Sequence, residues 1–343
     1  MPRPPYPLLL AGLAALLLAT VVTAAGLGFM QIPAREVLAI VLDRLSGGGG
    51  SGLDPIHQTV VLDVRLPRVI TAALVGGGLA MAGAIFQAIL LNPLADPYTL
   101  GVSSGAAFGA ALALLANIAL PGLFPGQLSV PLFAFGGAVT TVFAVLTLAA
   151  TDRTYSANSL ILAGVIVSAI LSAGIGFIKY LADEQVSVII FWLMGSFAAR
   201  TWSDAGLVLV ATTVTLIVAL FHGRDLNIMA LGLRTSDSLG VDTVRTRKRL
   251  LLIASLVTAL SVSVSGIIGF IGLIIPHLMR FVIGPDNRRL IPASLLAGAI
   301  LLLLADTISR AILPREVPVG VLTALIGGPF FCLIFRRKQL GAR

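Results

Sequence analysis

Few side chains in this sequence could do chemistry, and those that could are charged residues beside apolar stretches. Asp306 is the one carboxylate in the interior of a predicted membrane span, and Arg310 follows it by four residues, on the same face of a helix. This spacing predicts a local structural ion pair, with a proton relay as the alternative. No second histidine, cysteine or carboxylate stands at ligand spacing from His277, so we predict a packed histidine and no metal site.

Enzyme motifs are missing. The sequence has no HExxH, GxSxG or Walker A motif, and the glycine run at residues 46–52 lacks the Lys-Ser/Thr pair of a phosphate-binding loop. We therefore predict that the chain is not an enzyme, does not hydrolyse ATP itself, and moves a substrate without transforming it.

Composition decides the class of protein. Of the 343 residues, 57% are hydrophobic and 11% are charged, and the mean hydropathy is +1.03. Soluble domains average about 25% charged residues, so this is an integral membrane protein. The single cysteine, Cys332, cannot form an internal disulfide and is expected to pack in the core.

The pattern of apolar runs predicts an all-α membrane protein with ten transmembrane helices in a single domain, residues 1–343, with both termini cytoplasmic. The spans are predicted at residues 8–29, 69–91, 100–120, 132–150, 160–180, 204–221, 250–268, 271–283, 290–309 and 318–335. Residues 186–197 are too short to cross and are expected to form an external or re-entrant helix. The small residues of GGGLAMAG at 76–83 predict close helix packing.

The net charge of +8 follows this topology. The predicted cytoplasmic segments carry 15 Lys or Arg residues against six acidic ones, the external segments carry eight of each, and Asp306 lies inside a span. The basic balance therefore reflects the positive-inside bias, and we predict no nucleic-acid partner.

Residues 223–249 form the most basic loop. Thr235–Leu239 is predicted to form a short helical turn that Gly240 ends, and Asp242 is placed to cap a second small helix. The basic cluster that follows, residues 245–249, is expected on the cytoplasmic side. Taken alone, this cluster could serve only to anchor topology.

The RLPR segment at residues 65–68 opens the second predicted span. Proline is tolerated in the first turn of a helix, so Pro67 is expected to mark its start. Arg65 and Arg68 would then oppose the helix dipole. Snorkelling to lipid headgroups, or pairing with Asp63, would account for them locally.

Seven motifs in order resemble the permease subunits of type II ABC importers, the FecCD/BtuC-like family that carries iron siderophores, haem and cobalamin, and the likeness covers nearly the whole chain. They are RLPR (65–68), NPLADPYTLGVSSGA (92–106), LAGV (162–165), WLMGSF (192–197), GIIGFIGLIIPHLMR (266–280), LLADTISR (303–310) and EVPVGVLTALIGGPFF (316–331).

The resemblance implies a subunit of the bacterial inner membrane that pairs with a second copy of itself, two ATP-binding subunits and a periplasmic substrate-binding protein. It implies no cofactor in this chain, with ATP and Mg²⁺ held by the partner ATPase. The cargo would be a metal chelate, with an iron siderophore or haem ahead of cobalamin. An ion-coupled secondary transporter using Asp306 is the alternative, and an intramembrane enzyme is third.

The resemblance also assigns site residues. Docking of the binding protein falls to Arg65, Arg68 and Arg310. Coupling to the ATPase falls to residues of the 223–249 loop, namely Leu231, Thr235, Ser236, Asp237, Leu239, Gly240, Val241 and Asp242. The gate falls to two turns, with Asn92 and Leu94 in one and Ala157 and Asn158 in the other. The second turn lacks the hydroxyl-bearing residues of the cobalamin permease.

Overall fold

The computed structural model describes residues 5–47, 52–120, 129–152, 154–311 and 316–340, and every regular element within them is helical. The α-helices are α1 (Tyr6–Gly26), α2 (Ala34–Ser46), α3 (Pro55–Thr59), α4 (Leu66–Ile89), α5 (Val102–Ala119), α6 (Ser129–Ala149), α7 (Ala157–Ala182), α8 (Val186–Leu193), α9 (Trp202–Phe221), α10 (Gly223–Met229), α11 (Leu233–Ser238), α12 (Thr243–Ser265), α13 (Ile271–Ile283), α14 (Asn287–Ala311) and α15 (Val319–Leu340). The predicted all-α class is confirmed.

Helices of membrane-spanning length are found at eight of the ten predicted spans. Eight helical segments among the described residues are long and apolar enough to cross a membrane. Two shorter apolar helices, α13 and the Val319–Cys332 part of α15, complete the predicted set of ten. The short helix expected at residues 186–197 is α8, whose Ile189 is fully buried. The glycine run at residues 46–52 lies mostly outside the described residues.

Helix α4 is the centre of the bundle. Nearly all of its spanning window is buried, 89% against 17% for the window of α1, and it packs against α1, α9, α12, α13 and α14. Glycine makes this possible, because a Cβ on Gly76 would collide with the carbonyl oxygen of Gly298, and one on Gly83 with that of Gly272. The close packing predicted for residues 76–83 is confirmed.

The α-helix α4 begins at Leu66 with Pro67 in its first turn, as predicted, but this start is not a free helix end. Helix α3, a π-helical turn at Val60–Arg65 and α4 form one continuous helical segment, Pro55–Ile89. In the wider π turn, Pro67 has no N–H to donate to the carbonyl of Leu62, and the indole Nε1 of Trp202 donates to that oxygen instead at 3.0 Å. Arg65 therefore does not stand at a free helix amino terminus.

The basic loop contains two short helices, but not the predicted pair. They are α10 and α11, and the helix that Asp242 caps is α12 itself, which continues into the bundle. Asp242 accepts a hydrogen bond from the backbone N–H of Arg245 at 2.9 Å, so the predicted cap is confirmed. The second small helix was wrong because no helix-breaking residue separates the basic cluster from the apolar run that follows it.

Three interrupted segments meet inside the bundle. The chain leaves helical geometry between α12 and α13, and there the carbonyl of Ser265 accepts from the backbone N–H of Ser196 at 2.8 Å. The carbonyls of Met194 and Gly195 accept from Gly320 and Val319, both at 3.1 Å. The WLMGSF, GIIGF and EVPVGV motifs therefore meet at one backbone junction.

Cys332 is exposed on the single chain, so its predicted core position is wrong.

Candidate functional site

The predicted site residues lie at two ends of the bundle. The first, which we call the arginine end, holds Arg65, Arg68 and Arg310, where α1 ends and α4 and α15 begin. The second, which we call the coupling-loop end, holds α10 and α11 together with both predicted gate turns. Contacts between distant parts of the chain hold the residues of each end together.

Arg65 is a buried helix cap. Its side chain is 7% exposed, and its Nη1 donates to the carbonyls of Ala25 and Gly26 at 2.9 and 2.8 Å. Its Nη2 donates to the carbonyl of Met30. The carbonyls of Ala25 and Gly26 belong to the last turn of α1 and that of Met30 follows it; carbonyls at this end of a helix lack partners within the helix, and the dipole favours a cation there. Gly28 leaves room for the guanidinium, because a Cβ there would lie 2.8 Å from Nη2.

Asp306 is fully buried between two arginines. The predicted pair with Arg310 is confirmed, with 3.4 Å between Arg310 Nε and Asp306 Oδ2. The closer partner is Arg68, whose Nη2 donates to Asp306 Oδ1 at 2.7 Å and whose Nε donates to Oδ2 at 3.1 Å. Arg310 also donates to the carbonyls of Leu27 and Ala24, so it helps Arg65 to cap α1. The pairing of Arg68 was not predicted.

Arg68 is the docking candidate with the most accessible partner. Its Nη2 also donates to Glu316 Oε1 at 2.6 Å, and the Glu316 side chain is 44% exposed while that of Asp306 is 1% exposed. Arg200, which the sequence analysis missed, donates to the carbonyl of Val264 at 2.6 Å and caps α12. Arginines at this end thus satisfy helix ends and a buried carboxylate of their own chain.

At the coupling-loop end, polar side chains fix α10 to the turn between α13 and α14. The Asn227 amide donates to Asp286 Oδ1 at 2.6 Å. Its oxygen accepts from both the backbone N–H and the side chain of Asn287, each at 2.9 Å. His222 Nδ1 lies 2.8 Å from Asp225 Oδ2 at the start of α10. This anchoring holds the loop in one position against the bundle.

Helix α11 carries three of the eight predicted coupling residues, Thr235, Ser236 and Asp237, and the other five flank it. Fully buried Ser236 donates to the carbonyls of Ile228 and Gly232 at 3.1 and 2.8 Å, which ties α11 to α10. Leu231 and Leu239, by contrast, are 64% and 57% exposed. The other predicted coupling residues also differ in exposure: Val241 is buried, and Thr235, Asp237, Gly240 and Asp242 are exposed. Gly240 has a φ of +80°, the left-handed helix end that was predicted.

The two predicted gate turns lie at this same end. Asn92 Oδ1 accepts from the backbone N–H of Leu94 at 2.9 Å, and Leu94 is 40% exposed. Ala157 and Asn158 form the first turn of α7, after the Ser156 cap. Their assignment to a gate stays a prediction, as do the docking and coupling roles above.

Tyr98 was missed by the sequence analysis. Its hydroxyl donates to the carbonyl of Ile268 at 2.8 Å and accepts from the Ile268 N–H at 3.3 Å, joining the turn after the first gate to the backbone junction. The neighbouring Asp96 forms a reciprocal cap with Thr99, and burial raises its pKa to about 6.

His277 packs edge-on against Phe281, with ring centroids 4.9 Å apart. Among the described residues, no group of three or more His, Cys, Asp or Glu could hold a metal ion.

Comparison with known proteins identifies the family. The model of the FecCD transport family matches residues 16–337. The chain belongs to the FecCD transport family. A solved metal-chelate type ABC transporter in an inward-facing conformation covers 96% of this chain, with a TM-score of 0.81 and 35% identity over 99% of its own chain. The fold of this FecCD permease is therefore that of a type II ABC permease.

Relatives of this FecCD permease differ in their named cargo. The cobalamin import permease BtuC of Halobacterium salinarum is 40% identical over 85% of this chain and 77% of its own length. The hemin permease HmuU of Yersinia pestis is 41% identical, covering 82% and 84%. The molybdate permease MolB of Haemophilus influenzae is 36% identical and covers 98% of both. The chain is thus a multi-pass membrane permease subunit, and the family alone does not fix its cargo.

Proposed function

We propose that this FecCD permease is the transmembrane subunit of an ATP-driven importer that carries a metal chelate from a periplasmic binding protein to the cytoplasm. The functional unit contains two copies of the chain and two ATPase subunits, which hold the ATP and Mg²⁺. The chain holds no cofactor itself. It resides in the bacterial inner membrane with both termini in the cytoplasm.

The observation that carries this proposal is the build of the coupling-loop end. Leu231 and Leu239 are more than half exposed, while the polar residues around them are bonded into the bundle through Asn227 and Ser236. Exposed apolar side chains on an anchored support suit the docking of another protein. The positive-inside bias of this end supports an ATPase on the cytoplasmic side as that protein.

At the arginine end, docking of the binding protein centres on Arg68. Arg65 and Arg310 are committed to backbone carbonyls, whereas Glu316 on Arg68 is accessible. A carboxylate of the binding protein would take a charge-assisted bond from Arg68. Arg65 and Arg310 contribute to docking by holding the surface in place.

For the cargo, an iron siderophore or haem ranks ahead of cobalamin. The hemin and cobalamin relatives support a chelate, and the second gate turn lacks the hydroxyls of the cobalamin permease. The similarity to the molybdate permease adds an oxyanion to the compounds that require testing.

The secondary-transporter alternative loses its main support in the structure. It requires a carboxylate that exchanges protons with water, but Asp306 is 0% exposed and held by two guanidinium groups. No feature of the described residues favours this alternative, and an intramembrane enzyme is equally unsupported.

The test is reconstitution. The tagged chain is purified gently from its native membrane, its co-purifying proteins are identified, and the complex is placed in liposomes with ATP inside or outside. We expect an ATPase and a binding protein to co-purify, and ATP-dependent uptake of haem, a ferric siderophore, cobalamin or molybdate by the complex.

The matched control replaces the ATPase with a form lacking its Walker A lysine, which should give no uptake. Uptake driven by a proton gradient without ATP would overturn the proposal in favour of a secondary transporter. Absorption spectra of the retained binding protein distinguish haem, ferric siderophores and corrinoids, and metal analysis detects molybdate.

A further inference from the structure

The turn between α6 and α7 is held in shape by a single carboxylate. Asp152 Oδ1 accepts from the N–H and hydroxyl of Thr154 at 3.0 and 2.6 Å. Its Oδ2 accepts from the N–H of Ser156 and the hydroxyl of Ser159 at 3.0 and 2.8 Å. These donors hold the pKa of Asp152 well below its usual range. The chain from Thr154 to the first residues of α7 therefore has a defined conformation.

Within this turn, Tyr155 is strained. Its φ of +49° is left-handed, a region that costs a residue with a Cβ free energy and persists only where surrounding contacts hold it. The predicted gate residues Ala157 and Asn158 follow directly. A strained residue beside a gate is a position from which small changes in outside contacts could alter the turn.

Those outside contacts come from the first turns of α12. Arg247 Nη1 donates to the carbonyls of Thr154 and Tyr155 at 3.0 and 2.9 Å. The Lys248 ammonium lies 4.0 Å from the centre of the Tyr155 ring, a cation–π contact. Two consecutive basic residues therefore hold the strained residue by its backbone and by its ring.

Arg247 differs from its basic neighbours in exposure. It is 4% exposed, whereas Arg245 and Arg249 are exposed. A topology anchor has its charge in water or among headgroups, as Arg249 does. A buried guanidinium that bonds two carbonyls more than 90 residues away in sequence does more than set orientation.

Arg247 also lies in the first two turns of the helix that follows the coupling segment, by which we mean α11 and residues 239–242. Helix α12 begins after Asp242, which caps it, and Thr243 Oγ1 lies 3.4 Å from Asp237 Oδ1 of α11. A helix moves as a rigid body over one or two turns, so a displacement of α11 carries the start of α12, and Arg247 with it.

We propose that Arg247, assisted by Lys248, is a positioning residue that transmits movement of the coupling segment to the α6–α7 turn and so sets the position of Ala157 and Asn158. The inference rests on the proposed function for its link to transport. It assigns to two residues of the basic cluster a role that topology alone does not explain.

The first experiment needs no partner. Hydrogen exchange of the Thr154–Ser156 amides is measured in the purified chain in nanodiscs, for R247M and for R249M as the exposed control. R247M should exchange roughly ten- to a hundredfold faster at this turn, because bonds from a charged donor are lost. R249M should match the parent chain. Unchanged exchange in R247M would overturn the proposal.

A double-mutant cycle tests transmission. D242N weakens the start of α12 and should speed exchange at the α6–α7 turn in the parent chain. In the R247M background it should add nothing, because the connection is already broken. Equal effects of D242N in both backgrounds would overturn the proposal. If R247M does not fold, R247K, which lacks the forked donor, takes its place.

The second experiment measures uptake per ATP hydrolysed in the reconstituted complex. R247M should lower this ratio several-fold while ATP hydrolysis persists, and Y155G should partly restore it, because glycine adopts the left-handed conformation without strain. A purely structural defect would lower both activities together. If R247M speeds exchange at the α6–α7 turn but leaves the uptake per ATP unchanged, the proposed role of Arg247 is overturned, while the proposed importer function is not. If the parent chain shows no ATP-driven uptake while the exchange cycle holds, the proposed function fails and the conformational link stands.

Discussion

The arginine end and the coupling-loop end use charge in opposite ways. At the arginine end, Arg65 and Arg310 bond to the last carbonyls of α1, and Arg68 pairs with buried Asp306. At the coupling-loop end, the basic residues Arg245 and Arg249 are exposed, and apolar leucines are exposed beside them. The arginine end uses its charge to hold its own chain together, while the coupling-loop end, apart from the buried Arg247, presents its charge outward.

This difference in the use of charge determines how each end can bind a partner. A carboxylate approaching the arginine end must compete with contacts that the chain already makes, so docking there exchanges one ion pair for another. A partner at the coupling-loop end meets leucines that are more than half exposed and make no ion pair that docking would have to break. Affinity at the first end is therefore limited by exchange, and at the second by apolar burial.

The largest effect is expected from Asp306→Asn. The change leaves the Arg310 guanidinium without a carboxylate and leaves Arg68 with the exposed Glu316 alone, and breaking a buried pair in this way costs about 3–5 kcal/mol. We expect a clearly lower melting temperature of the detergent-solubilised chain. The matched control is Asp63→Asn, a carboxylate of the same end that is not buried. Equal melting temperatures for the two variants would mean that the arginine end is not held together by Asp306.

Next comes Leu239→Glu at the coupling-loop end. Leu239 is 57% exposed, so the folded chain should melt as before, whereas a charge at the centre of an apolar contact should weaken ATPase binding by about 2 kcal/mol or more. The measurement is the amount of ATPase that co-purifies. Leu45→Glu, at a leucine 79% exposed near the arginine end, is the control. Full retention of the ATPase by the Leu239 variant would remove this leucine from the contact.

Asp96 departs from this comparison, because it is a partly buried carboxylate near the coupling-loop end that makes no ion pair with an arginine within the described residues. Its pKa of about 6 lies above the value of 3.8 for the free side chain. The folded state therefore holds the proton more tightly, and this contribution to stability is complete below about pH 3.8 and lost as the pH rises through about 6.

Asp96→Asn keeps the oxygen that accepts from the Tyr98 N–H but cannot ionise. We expect the variant to lose this pH dependence and to exceed the parent chain in stability at pH 7 by about 1–3 kcal/mol. Melting curves from pH 4 to 7 measure this. Asp54→Asn, at the exposed cap of α3, should leave the pH dependence unchanged. A parent chain with flat stability over this range would contradict the prediction.

Local sequence patterns explain what could be predicted. Apolar runs gave the helices, GGGLAMAG gave the packing of α4, and the i,i+4 spacing gave the pair of Asp306 with Arg310. Each depends on neighbours along one helix or on the bilayer thickness. The cap at Asp242 was predictable for the same reason, since its acceptor and donor lie three residues apart.

The missed features depend on contacts between distant segments. Arg68 reaches Asp306 across 238 positions, and Tyr98 reaches Ile268 across 170. The start of α4 near Pro67 is not a free helix end because a π turn before it lets the helix continue, with Trp202 supplying the missing donor. The glycines of WLMGSF and GIIGF were the available indication of a backbone junction, because glycine inside a membrane helix pattern often marks a break or a close approach.

The smallest effect, and the most direct test of exchange at the arginine end, is expected from Glu316→Gln. Glu316 is exposed and bonded to Arg68 Nη2, so its loss should cost the chain under about 1 kcal/mol. If a carboxylate of the binding protein replaces Glu316 on docking, the neutral variant should bind that protein a few-fold more tightly, because the incoming carboxylate no longer competes with the charge of Glu316. Binding of the binding protein to the reconstituted complex is measured at low salt and at about 0.5 M salt. Salt screens the charges, so the gain in affinity should be smaller at high salt.

Glu36→Gln, at the partly buried glutamate that pairs with His57, is the control. Weaker binding by the Glu316 variant would mean that Glu316 itself contacts the binding protein, and the arginine end would then be a preformed surface like the coupling-loop end.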